Sequence, residues 1–218
     1  MKSVELAEPG HVETRRQLLE AAGEVFAERG FRDATVREIC RRAGANIAAV
    51  NYHFGDKERL YVEVLRYAHA KALEKYPPLL DVGADAAPEK KLRAFVLSLL
   101  LRIFDEGPDA WRGKLISREM IEPSRALDAI VEERMRPMAG RLWEIVAEIL
   151  DRPVNDERVR FCAMSVVSQC VFYHHCRPVI TRLFPKQLPR DAASIERLAE
   201  HIAGFSLAAM KSGAPGGR

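Results

Sequence analysis

Apolar positions recur at helical spacing along almost the whole chain, and no stretch alternates as a strand would. The tightest pattern is TVREICRRAGANIAAVNYHFGDKERL at 35–60. Thr35 can cap a short helix in which Val36, Ile39, Cys40 and Ala43 mark one buried face. Gly44 stands where a left-handed residue ends a helix. Asn46 can cap a second helix with an inward stripe of Ile47, Val50 and Phe54, and Gly55-Asp56 ends it and caps a third. Two short helices joined by a glycine turn predict a helix-turn-helix.

Upstream, Leu18, Ala22, Val25 and Phe26 line one face of a helix expected over 14–29, stopped by Gly30 and completing a trihelical unit. The expected organisation is a flexible arm at 1–11, a helix-turn-helix domain at 12–56, a larger helical domain at 57–211 to which effector binding and dimerisation are assigned below, and a disordered tail at 212–218. The fold class is therefore all-α, a three-helix helix-turn-helix domain followed by a larger helical domain. A long helix is expected from 57 to 76, ended by Pro77-Pro78; at ~1.5 Å per residue it would act as a lever some 30 Å long. Further helices are expected over 89–106, 111–121, 124–150 (split or kinked at Pro137), 156–176 and 192–210, with one turn near 180–184.

Helix 156–176 carries no charge between Arg160 and Arg177, which predicts burial on every side. Ala199, Ala203, Ala208 and Gly204 give the last helix a low-relief face. Packed against their copies, the two would form a four-helix homodimer interface; the alternative is that both are core helices of a monomer.

Composition sharpens this only locally. Net charge is +3, and residues 1–60 hold ten Lys/Arg against ten Asp/Glu. Across 29–42, however, Arg29, Arg32, Arg37, Arg41 and Arg42 outnumber Asp33 and Glu38, a basic rim suited to phosphates. Cys40, Cys162, Cys170 and Cys176 form no CxxC pair, the N-terminus lacks a signal-peptide core, and no apolar run is long enough for a membrane span. A cytoplasmic protein without membrane association is expected. No cofactor is implied. Cys170 and His174, at i and i+4, lack identifiable further metal ligands, and no nucleophile–base pair or phosphate loop suggests an enzyme.

The second short helix turns Ala48, Ala49, Tyr52 and His53 outward, with Asn51 at the border. Two alanines allow close approach to a major groove, and Arg37 and Lys57 flank the helix for a guanine and a phosphate. With Thr35, these are the candidate DNA-binding residues. The pattern T-x-R-E-I-x-x-x-A-G-A-N-x-A-A-V-N-Y-H-F-x-x-K-x-x-L resembles the DNA-binding signature of TetR/AcrR transcriptional regulators over residues 14–65. The resemblance implies DNA contacts at Arg37, Ala48, Ala49, Asn51, Tyr52, His53 and Lys57. The family usually has Tyr where this chain has Asn51, so the phosphate contact there is either absent or replaced by an asparagine contact to an adenine edge.

FCAMSVVSQCVFYHHCRPVITRLFP at 161–185 is similar to the C-terminal domain of the CecR-like subgroup, which implies a repressor responsive to a small molecule. Trp111, Met120, Met135, Trp143, Met164, Gln169, Tyr173 and His174 are candidate ligand-binding residues, apolar walls with a few polar anchors. The expected partners are a palindromic double-stranded DNA operator, a small-molecule effector and a second copy of the chain. A DNA-binding architectural or adaptor protein without effector is the alternative.

Overall fold

The computed structural model describes residues 9–212, and all regular structure within them is helical. The elements are α1 (Pro9–Asp33), α2 (Val36–Ala43), α3 (Ile47–Phe54), α4 (Lys57–Lys75), α5 (Pro88–Ile103), α6 (Ala110–Ile121), α7 (Ala126–Ile130), α8 (Arg136–Leu150), α9 (Glu157–His175), α10 (Arg177–Leu183) and α11 (Ala192–Lys211). A π-helical turn, Val131–Met135, joins α7 to α8. Contacts divide the chain into two units, residues up to 72 with 107–134, and 73–106 with 135 onward. The chain passes from one to the other inside α4.

In the first unit, Leu18, Ala22, Val25 and Phe26 are fully buried, as their spacing predicts. Phe26 meets the Tyr61 ring edge-on at 4.8 Å between centroids, and Phe31 lies 4.9 Å from the same ring. Helix α6 packs on α1, where Trp111 covers Gly23 so closely that a Cβ there would lie 2.1 Å from the indole. The Tyr61 hydroxyl donates to Glu119 Oε2 at 2.7 Å. Glu119 Oε1 accepts from the Ser124 amide (2.8 Å) and hydroxyl (2.9 Å), so this buried carboxylate is fully engaged.

Helix α1 is longer than its spacing suggested. It takes in Pro9, Gly10 and His11 from the expected arm, whose first eight residues lie outside the described ones. Gly30 does not stop the helix but kinks it, at φ 79° and ψ 171°, and helical structure resumes to Asp33. The Arg118 guanidinium fills the space a Cβ would need, 2.6 Å from that position.

The second unit is built around α5, α8, α9 and α11. Leu92, Val96 and Leu100 meet Leu142 and Val146, Val159, Ala163 and Val166, and Ile202 and Ala203, in one buried cluster. The break expected at Pro137 comes just before it. Pro137 has no N–H for the Glu133 carbonyl, and the π turn at Val131–Met135 absorbs the mismatch before α8 starts. Residues 177–183 form a helix rather than a single turn.

Two packing expectations need correction. Helix α9 is not buried on every side: Phe161, Met164 and Phe172 are 56%, 55% and 54% exposed. An uncharged face does not tell which side meets the chain's own core. In α11, Ala199 and Ala203 point inward, because their small side chains allow close approach to the core, while Phe205 (64% exposed) and Ala208 face out. The tail expected at 212–218 lies, beyond Ser212, outside the described residues. Among the described residues no helix is long and apolar enough to cross a membrane.

Candidate nucleic-acid interface

The helix-turn-helix is held by its caps. Thr35 Oγ1 accepts from the Glu38 amide at 3.2 Å, and Asn46 Oδ1 from the Ala49 amide at 2.8 Å. Between them Gly44 ends α2 at φ 65°, which only a residue without Cβ adopts freely. Val50 and Phe54 are buried beneath α3, and Ile39 and Cys40 beneath α2. Helix α4 opens with the Asp56 carboxylate accepting from the Arg59 amide at 2.8 Å.

This framework turns one surface outward. Thr35, Arg37, Ala48 and Asn51 are exposed, Ala49 is half-buried, and Tyr52 is 73% exposed. His53 is half-buried, its ring 5.0 Å from that of Tyr52. Burial first, and then the nearby His11 and Arg15 charges, push the His53 imidazole below its ordinary pKa, so it is neutral at pH 7. Lys57 is committed to its own fold. Its ammonium donates to the Arg32 carbonyl at 3.2 Å and lies 4.8 Å from the Phe31 ring centroid.

Two residues on this surface were not foreseen. Ile47, expected in the inward stripe, is 47% exposed, because the first residue of so short a helix overhangs the core its stripe-mates fill. His11, expected in a flexible arm, lies tilted 5.7 Å from the Tyr52 ring and edge-on 6.1 Å from that of His53. Its position on α1 follows from a helix start that the Pro9-Gly10 pair obscured.

The basic rim is partly neutralised. Arg29 pairs with Glu38 at 2.7 Å and Arg42 with Glu28 at 2.9 Å, while Arg37 and Arg41 have no ion pair among the described residues. Alongside lies a cleft of about 1320 Å³ bounded by the end of α1, the start of α4 and the α6–α7 segment. Arg32, Arg59, Arg118 and Arg125 line it with Phe31 and Tyr61, and none of the eight candidate ligand-binding residues does.

Those eight are divided between the two units. Trp111 and the exposed Met120 belong to the first unit, the other six to the second. Trp143 and Tyr173 pack part-buried on the second unit's core, and Met164 is on the exposed side of α9. Gln169 donates to the Ser206 hydroxyl at 3.1 Å, and His174 lies edge-on to Phe104 at 6.5 Å. Met135 ends the π turn. Burial pushes the Cys170 thiol up to about 12. No three His, Cys, Asp or Glu side chains are placed to hold a metal among the described residues.

Comparison with known proteins fits this geometry. Residues 18–64 match the model of bacterial regulatory proteins of the tetR family, and 88–210 match that of the C-terminal domain of the HTH-type transcriptional dual regulator CecR. CecR of Shigella flexneri is 29% identical over 169 residues, 74% of this chain and 75% of that protein. The HTH-type transcriptional repressor NicS of Pseudomonas putida is 24% identical over 192 residues, 85% and 87% of the two chains. Among solved structures, the TetR family regulator PfmR of Thermus thermophilus superposes with a TM-score of 0.64 at 20% identity, covering 93% of this chain and 98% of its own. AibR, solved with isovaleryl coenzyme A and operator DNA, gives 0.64 at 19% identity over 88% and 97%. With a helix-turn-helix that matches one model and more than half its length matching the other, the chain belongs to the TetR family of DNA-binding transcriptional regulators, with a CecR-type C-terminal domain.

Proposed function

We propose that this regulator is a homodimeric repressor in the cytoplasm that leaves a palindromic operator when a small molecule binds its C-terminal domain. The supporting observation is the exposed α3 face, which carries Ala48, Asn51 and Tyr52, the last beside the His11 and His53 rings. Two small residues beside an amide and a phenol suit a major groove: methyl-sized contacts, one bidentate amide for an adenine edge and one hydroxyl for a phosphate. Arg37, Ala49 and His53 flank this surface, and Thr35 and Lys57 sit at its margins, Lys57 chiefly as the strut between α4 and the end of α1.

A single eight-residue helix reads too few bases for specificity, which favours two heads on an inverted repeat about 34–36 Å apart. The exposed apolar residues of α9 and α11 supply a face for a second copy. Repression is supported by the repressor NicS among the relatives, and control by an effector by the coenzyme A ester held by AibR. An effector need favour the DNA-incompetent state by only ~1–3 kcal/mol to shift occupancy five- to a hundredfold, acting through α4, which the two units share.

Selection of bound duplexes from a random pool tests the reading. An inverted repeat should emerge, and the pure protein should prefer it over scrambled DNA at moderate salt. Recovery of no preferred sequence would overturn it. Sequence-selective binding that no metabolite extract relieves would instead favour an adaptor without effector.

A further inference from the structure

Arg102 stands near the end of α5, inside the second unit. Its Nε donates to the Ser98 carbonyl at 3.2 Å, and its Nη1 touches the Met138 sulfur at 3.1 Å. Nη2 is buried without a hydrogen-bond partner, and no carboxylate of the described residues pairs with the guanidinium. Met138, the side chain its Nη1 touches, packs part-buried against the unit's hydrophobic cluster, as does Leu99 one turn from Ile103 on the same helix.

A buried arginine is ordinarily matched by a carboxylate, because stripping its water without compensation is expensive. Elsewhere the part-buried Arg66 holds Glu63 and Glu133, and Arg112, although its Nε is also buried without a partner, holds Asp109. Arg102 has instead a carbonyl, a thioether and idle donors. A thioether is a weak acceptor on a flexible stem, easily displaced by a stronger one. Burial pushes the guanidinium pKa down to about 10, still charged at neutral pH.

We propose that Arg102 is the anchor for the effector's anionic group, and that the effector is a carboxylate with an apolar body. The carboxylate oxygens accept side by side from the idle Nη2 and from Nη1 in place of the thioether, a geometry that carboxylates fit and hydroxyls do not. Met138 swings aside to admit them, and the apolar body lies along the side chains around it. One cation then meets one anion, so mono-acids are favoured over neutral isosteres and di-acids. This specifies the ligand class of the effector-responsive reading above and rests on it.

The experiment uses the full chain with decanoate and phenylacetate as probes and decanol and phenylethanol as uncharged counterparts. Binding is read by calorimetry and thermal shift, without DNA. At least one acid should bind more than tenfold tighter than its alcohol, and Arg102→Met should erase that preference. Arg102→Met should also raise the melting temperature of the free protein, because it removes an uncompensated charge, whereas a purely structural arginine would make the same variant melt lower. Arg102→Lys, which keeps the charge, should retain part of the acid preference. No preference for the acids, an unaltered preference in Arg102→Met, or a lower melting temperature in it would each overturn the proposal. Release of the selected duplex is measured separately. Arg102-dependent acid binding that leaves DNA bound would defeat the effector-responsive reading but not the site, while release by alcohols and acids alike would spare that reading and sink this one.

Discussion

Tyr52 and Lys57 differ in how far each is tied into its own fold, and their substitutions should separate accordingly. Tyr52 is 73% exposed and its hydroxyl makes no intramolecular hydrogen bond among the described residues. Tyr52→Ala should therefore leave stability within about 0.5 kcal/mol, as most surface changes do, while weakening operator binding tenfold or more. Lys57→Ala loses both the Arg32 carbonyl contact and the cation over Phe31, so denaturant titration should also show about 1 kcal/mol of destabilisation. His53 adds a pH dependence. Its native pKa lies below the ordinary 6.5, so the unfolded chain binds a proton more readily than the native one. Stability contributed by the neutral imidazole is intact above about pH 6.5 and falls as pH drops through that value toward the lower native pKa. Denaturant midpoints should decline from pH 7.5 to 5.5 in the wild type, and by less in His53→Asn. At this scale the sequence disclosed the caps, since Thr35, Gly44 and Asn46 act through their immediate neighbours. It did not disclose that Lys57 reaches 25 residues back to Arg32 or that the His11 ring lies against Tyr52, because such contacts depend on how helices cross.

Helices in this chain are defined by local chemistry but placed by small residues. The α1–α6 pair shows it. Gly23 of α1 is the seat of Trp111. Gly23→Ala improves intrinsic helix propensity by about 0.8–1.0 kcal/mol but puts a methyl 2.1 Å from the indole. Overpacking of that kind costs about 1–3 kcal/mol, so the net change should be destabilising, and Gly23→Ala/Trp111→Leu should recover stability that either alone loses. Equal or greater stability of Gly23→Ala alone would show that the two helices slide past one another without cost. The same logic explains why helix boundaries other than those of α1 and α10 were readable and helix faces less so. Periodicity marked α9 and α11 as apolar, yet only packing decides that Val159, Ala163 and Val166 turn in while Phe161, Met164 and Phe172 turn out.

For the whole molecule, those outward residues are the surface that the proposed dimer would cover. Phe161, Met164 and Phe172 on α9 and Phe205 on α11 leave aromatic and thioether surface in water, and burying one such side chain gains about 1.5–3 kcal/mol. A two-fold contact would cover all of them twice over and deliver two recognition helices to one duplex. Phe205→Glu introduces a charge on this face without touching the chain's own core. It should keep the helical circular dichroism and give a monomer by light scattering at micromolar concentration. Operator binding should fall with it, and in a particular way. Two docked heads release the counterions of two half-sites, so the slope of log affinity against log salt should drop to roughly half in the monomeric variant. A variant that stays dimeric, or a monomer that binds the operator with undiminished affinity and slope, would show that α9 and α11 do not join the two copies or that one head is enough.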